Sequence, residues 1–262
     1  MRPEPRGPRR TLAALAVPMA FLAACAAGPA DAGGSGGPDP LVVFAASSLT
    51  EAFEALGTAF AATDGGVPVV LNLAGSQTLA AQLVEGAPAD VFAAADAVRM
   101  AVVAEAGLLA APAEPFATNR LAIVVEPGNP RGVTGPSDLG REDLVVVLPA
   151  EEVPAGRYAR QLLAAVGVAV APASLEPDVR AAVAKVALGE ADATIAYASD
   201  VASAGGRVDG VAIPDDVDVT ATYPIAVLAD APAGVDVAAR FVAFVRSEAG
   251  GAILAAHGFG AP

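Results

Sequence analysis

The chain has 262 residues, 55% of them hydrophobic and 17% charged, with no tryptophan, enough for one large or two medium units that each bury a core. Apolar content this high excludes a natively disordered chain. Fifteen basic residues stand against 29 acidic ones, a formal charge of −14, which excludes a nucleic acid held by phosphate neutralisation.

Residues 1–24 read as an export signal. Arg2, Arg6, Arg9 and Arg10 make a positive head, and Thr11 to Leu22 an apolar run of about 12 residues, short of the ~20 that a spanning helix needs. Leu22-Ala23-Ala24-Cys25 has the shape of a bacterial lipobox, cut before a cysteine that takes up lipid. Cys25 is the single cysteine, so neither a disulfide within the chain nor a cysteine-based metal site can form. Arg9-Arg10 leaves Sec and twin-arginine export both open. Residues 25–40, rich in Gly, Pro, Ser and Asp, are expected to form a flexible tether. Cleavage would leave 11 basic and 28 acidic residues and a charge near −17.

Beyond the tether, strand-like and helix-like runs alternate. Leu41 to Ala45 is a buried-strand run, and Leu49, Phe53, Leu56 and Phe60 recur at helical spacing. Val67 to Leu73 predicts a strand and Thr78 to Glu85 a helix. Asp90 to Ala94, Leu121 to Val125 and Leu144 to Leu148 predict strands, and Tyr158 to Val166 and Val179 to Leu188 helices. Thr194 to Tyr197 and Ile225 to Leu228 are further strands, and Val237 to Ala255 one or two terminal helices. This alternation predicts an α/β protein with mostly parallel sheets, either one doubly wound sheet or two smaller ones.

The informative places are the turns where strands give way to helices. Ser48 and Glu51 have capping-box spacing after the first strand. Gly75-Ser76-Gln77-Thr78 follows the second, with a glycine for the tight turn and hydroxyls beside it. Val153-Pro154-Ala155-Gly156 places a proline in the first turn of a helix, and Pro177-Asp178-Val179-Arg180 opens another. Each helix start carries unpaired N–H groups and about half a positive charge, so several aimed at one point make a site for a compact anion. In open α/β sheets ligands sit beyond the carboxyl ends of the strands, where such turns converge.

The rest of the chemical inventory is thin. His257 is the sole histidine, so no His-based zinc or iron site exists, and a Ser-His-Asp hydrolase would have to use it from apolar surroundings. No Gly-x-Gly-x-x-Gly or P-loop supports nucleotide chemistry. Lys185 reads as a solvated helix position. Asp90, Asp96, Asp192 and Asp200, next to strands or turns, read as caps and solubilising charges before acid–base pairs.

The segments "VFAASSLTEAF", "AGSQTLAAQLVEGAPADVFAAAD", "VPAGRYA", "VRAAVAKVALGEADATIAYASD", "YPIAVL" and "HGF" occur in one order from Leu41 to Phe259. In these the chain resembles the molybdate-binding proteins of ABC importers. The resemblance implies an α/β, type II periplasmic-binding-protein fold: two domains, two crossovers and the ligand in the cleft. Domain I would comprise 41–119 plus 223–262, and domain II 120–222. Residue by residue, it implies that Ser48, Ser76 and Tyr197 hold the oxyanion through hydroxyls, and Ala155 and Val179 through backbone N–H groups. Ser47 competes with Ser48, because the first turn reads Ala-Ser-Ser where relatives have Ala-Ala-Ser.

The expectation is therefore an extracytoplasmic lipoprotein, held to the membrane through lipid on Cys25. It would capture molybdate, and tungstate as well, without a cofactor or a free metal ion, and deliver it as a monomer to an ABC permease. It is not expected to be an enzyme. The alternatives are a binder of sulfate or another tetrahedral oxyanion, a secreted hydrolase using Ser48 or Ser76 as nucleophile, and a sensing surface protein without a transporter.

Overall fold

The computed structural model describes residues 39–63 and 65–262. The export signal, Cys25 and the tether as far as residue 38 lie outside the described residues. Among the described residues no helix is long and apolar enough to cross a membrane.

The apolar run after the tether is strand β1, Leu41–Ala46. It pairs in parallel with β2, Val69–Ala74, on one side and β3, Val91–Ala93, on the other. The rest of this sheet is antiparallel. β9, Thr220–Val227, lies between β3 and β4, Glu114–Val125, and β4 continues to β7, Ala193–Tyr197. β8, Asp209–Ala212, also pairs with β4. The sheet order is thus β2-β1-β3-β9-β4-β7, and a separate parallel pair is formed by β5, Val147–Pro149, and β6, Ser174–Glu176. The expectation of mostly parallel sheets needs correction to a mixed sheet. The reason is the 12-residue strand β4, whose front half pairs with β9 and whose back half pairs with β7 and β8.

The helices cover the sheet with their apolar stripes. α1, Thr50–Thr63, buries Phe53, Leu56 and Phe60; α2, Ser76–Val84, buries Leu79 and Leu83; α3, Ala97–Glu105, buries Met100 and Val103. α4, Pro154–Ala165, and α5, Val179–Ala187, pack around β5, β6 and β7. α6, Ala198–Ser203, follows β7 directly. The terminal run divides into α7, Val235–Val245, and α8, Glu248–Ala256. With no tryptophan, the core is built on an edge-to-face chain in which Phe60 packs on Phe241, Phe241 on Phe53, Phe53 on Phe116 and Phe116 on Tyr223. That chain ends where Tyr223 meets Tyr197, the last residue of β7.

The four aspartates expected as caps and solubilising charges are all buried. Asp90 accepts from the backbone N–H groups of Val42 and Ala233, both at 2.7 Å, and so ties β1 to the segment before α7. Asp192 accepts from the Val145 N–H and pairs with Arg131. A carboxylate supplied with donors in this way is a structural knot, because a buried charge persists only when paired and hydrogen-bonded.

Candidate functional site

Strand register dictates which turns meet. Ala46 at the end of β1 lies opposite Ala74 at the end of β2, so Ser47-Ser48 and Gly75-Ser76 emerge side by side. Pro149 ends β5 opposite Glu176 of β6, which sets the start of α4 beside the start of α5. Together with Tyr197 these turns enclose one cavity of about 190 Å3 of free space including its mouth. Ser48, Ser76, Ala155, Val179 and Tyr197 all line it, as does Ser47, and no described lining residue carries a charge.

The hydroxyls are set up as donors. Ser76 Oγ accepts from the Ala95 backbone N–H at 3.0 Å, so its own proton is not committed to that bond. Ser48 Oγ lies 3.0 Å from the Tyr223 hydroxyl, both buried. The Tyr197 hydroxyl is buried without a hydrogen-bond partner, and burial pushes this phenol well above its usual pKa range, so it keeps its proton. Ser76 and Val179 are the first residues of α2 and α5, and Ala155 is the second of α4. At such positions the N–H has no helix carbonyl to reach. The cavity therefore collects positive ends of dipoles without any cationic side chain among its described lining residues.

One local reading is corrected here. Ser48 lies in a 3-10 turn, Ser47–Leu49, that precedes α1 and has no side-chain cap; its hydroxyl faces Tyr223, and Glu51 turns to Arg180. The capping box is thus not made. Asp178 does cap α5, accepting from the Ala181 N–H at 3.0 Å. At the start of α4 a Cβ on Gly156 would lie 2.0 Å from the Ala150 carbonyl oxygen, so only glycine lets this helix approach the end of β5.

The family described as bacterial extracellular solute-binding protein matches residues 41–260. The molybdate-binding protein ModA of Mycobacterium tuberculosis (strain ATCC 25618 / H37Rv) is 43% identical over 249 residues, 93% of this chain and 94% of that protein. The molybdate-binding protein ModA of Escherichia coli (strain K12) is 34% identical over 201 residues, 72% of this chain and 77% of that protein. The chain belongs to the molybdate-binding protein family. Among solved structures, the Azotobacter vinelandii periplasmic molybdate-binding protein superposes with a TM-score of 0.73 at 20% identity, over 85% of this chain and 99% of that one. The sulfate-binding protein SubI of M. tuberculosis H37Rv gives 0.73 at 21%, over 85% and 86%. Both carry the periplasmic-binding-protein fold, which leaves the choice of oxyanion to the site.

Around the cavity of this molybdate-binding-family chain run three ties that sequence reasoning missed. Arg180 on α5 binds Glu51 on α1 through two hydrogen bonds, of 2.8 and 2.7 Å. Burial, the largest single influence, works to raise the Glu51 carboxyl, but the Arg180 bonds and charge together with its own backbone N–H and Ser203 hold the group below its usual range. Gln77 Nε2 donates to the Pro177 carbonyl at 2.7 Å. Arg157 on α4 pairs at 2.7 Å with Asp96, which is fully buried and also caps α3 through the Arg99 N–H. Each tie joins α1, α2 or the start of α3 to α4 or the start of α5. All three partners are more than 50 residues apart in sequence, so no local signal marks them.

Asp200 lies behind Tyr197, whose backbone N–H donates to it at 3.0 Å. Burial pushes its carboxyl up to about 7, against the pull of that N–H and of Arg180. A group raised in the folded state from an ordinary 3.8 stabilises the fold fully below pH 4, and that contribution is lost as pH rises through 7. Relative to the wild type, Asp200→Asn is therefore expected to gain stability between pH 4 and pH 8, by up to about 4 kcal/mol. Urea denaturation of both proteins at the two pH values checks this; a constant difference would contradict it. His257, the base that a serine hydrolase would need, bonds through Nδ1 to the Ile253 carbonyl at 2.8 Å and does not line the cavity.

Proposed function

We propose that this protein captures molybdate, and tungstate as well, at the cavity lined by Ser48, Ser76, Ala155, Val179 and Tyr197, and delivers it to an ABC permease. The observation that carries the reading is a buried, unpartnered Tyr197 hydroxyl in a cavity whose other polar groups are serine hydroxyls and helix starts. Such a donor set suits an anion that accepts every bond. Phosphate at neutral pH keeps a proton that would meet donors only, leaving a buried group unpaired at a cost of about 1–3 kcal/mol. Asp178, the carboxylate nearest in sequence that could accept that proton, is occupied as a helix cap. Sulfate has the right charge, and only a cavity too wide for it separates it from molybdate. Calorimetric titration of the domain with molybdate, tungstate, sulfate and phosphate tests the reading. Tight binding of the first two, far weaker sulfate and undetectable phosphate are expected; phosphate displacing molybdate at comparable concentration would overturn it.

The division into 41–119 with 223–262 and 120–222 is part of this proposal, supported by the split pairing of β4. Local dipoles hold the anion while the acidic surface slows its approach. We further propose an extracytoplasmic location with lipid on Cys25. Cys25→Ser is expected to leave a folded, ligand-binding protein that partitions into the aqueous phase on detergent phase separation. Unchanged partitioning would contradict the anchor.

A further inference from the structure

We propose that Tyr223 sets the selectivity of the site by biasing Ser48 toward donating its proton to the ligand, a positioning role that rests on the reading of Ser48 as a ligand. A serine hydroxyl has one proton and two lone pairs, and it can present either to an anion. Ser76 has its oxygen occupied by a group that can only donate, the Ala95 N–H. Ser48 has a phenol instead, at 3.0 Å, and between two hydroxyls either can be the donor. A third group bears on the direction. Asn119 Nδ2 can only donate, and it reaches the Tyr223 oxygen at 3.5 Å while also donating to Ser199 Oγ at 2.7 Å. A phenol is a stronger donor and a weaker acceptor than an aliphatic hydroxyl, and with its oxygen also accepting from Asn119 it sends its proton to Ser48 Oγ. The Ser48 proton is then left for the cavity.

Tyr223 is suited to this by its surroundings. It is fully buried on β9, and its ring is held edge-to-face by Phe116, Tyr197 and Phe259, with centroids 5.5–6.3 Å away. The ring cannot swing the hydroxyl off Ser48 without moving three neighbours. Burial also raises the phenol far above its usual pKa range, so it does not lose the proton that it donates. Tyr223 is not among the residues that line the cavity, so its effect on a ligand passes through Ser48. The consequence is discrimination. With Tyr223 donating, Ser48 has little accepting capacity to offer a protonated oxyanion such as hydrogen phosphate. Without that phenol proton, the serine can turn and accept.

The experiment is a double-mutant cycle in the otherwise intact protein, read by titration with molybdate and with phosphate. Tyr223→Phe keeps the ring and removes the hydroxyl. It is expected to weaken molybdate about 5- to 20-fold, and to bring phosphate from undetectable to measurable binding. Added to Ser48→Ala, Tyr223→Phe should cost nothing further, whereas added to Ser76→Ala it should keep its full effect. A purely structural role would give the same loss in both backgrounds and leave selectivity unmoved, and either result would overturn the proposal. If Ser48→Ala weakens molybdate but Tyr223→Phe binds as the wild type does, the proposal falls and the site stands. If Ser48→Ala itself binds as the wild type does, the reading of the site falls and takes the proposal with it.

Discussion

Arg157→Ala is expected to lower the stability of the ligand-free protein by about 3 kcal/mol, the scale of removing one partner from a buried ion pair. Asp96 is 0% exposed, and its charge is held by the Arg157 guanidinium at 2.7 Å and by the cap bond to the Arg99 N–H. With the guanidinium gone, the cap alone faces a buried carboxylate. For a domain of this size the loss corresponds to a fall of about 6–12 °C in Tm. The double variant Asp96→Asn with Arg157→Ala separates charge from packing. Asparagine still caps a helix and leaves no charge behind, so most of the loss is expected to return. Equal instability of the single and double variants, measured by thermal denaturation, would place the effect in lost packing of the arginine on Tyr158.

Ser76→Ala and Tyr197→Phe are expected to weaken oxyanion binding by about 1.5–3 kcal/mol each, the range for a hydrogen bond to a charged group and ten- to a hundredfold in Kd. Their effects on the ligand-free protein differ in sign of cause. Ser76 Oγ satisfies the Ala95 N–H at a position that is 4% exposed, so alanine strands a buried donor and costs about 1 kcal/mol of stability. The Tyr197 hydroxyl satisfies nothing in the protein, so phenylalanine costs the apo protein nothing. Denaturation and titration of both variants check the pair. Loss of apo stability in Tyr197→Phe without loss of affinity would contradict a ligand-directed hydroxyl.

Four of the five candidate positions lie at strand-to-helix turns that glycine, proline and hydroxyls mark locally, whereas Tyr197 and the role of each residue come from the family resemblance alone. Register then does the assembly, since Ala46 opposite Ala74 and Pro149 opposite Glu176 bring the turns together. What lay beyond the sequence is contact between distant segments. Glu51 looked like the second half of a capping box because Arg180, 129 residues away, leaves no local trace. β4 was read only from Leu121 because Pro115 and the polar Thr118-Asn119-Arg120 interrupt its apolar pattern, yet those residues pair with β9. Missing that front half also hid the antiparallel part of the sheet. α3 escaped although Asp96 reads as a cap, because Val98 and Val102 are exposed and blur the apolar stripe that Met100 and Val103 bury. Tyr223 went unremarked for a similar reason, since nothing in "YPIAVL" indicates that its hydroxyl ends 3.0 Å from a serine 175 residues earlier.

The central claim is that one cavity of neutral donors holds the anion. A crystal of the protein grown with molybdate, measured on both sides of the molybdenum absorption edge, tests it directly. The account predicts one anomalous peak, within hydrogen-bonding reach of the Ser48, Ser76 and Tyr197 hydroxyls and of the Ala155 and Val179 N–H groups. A peak elsewhere, or one coordinated by a charged side chain, would contradict it.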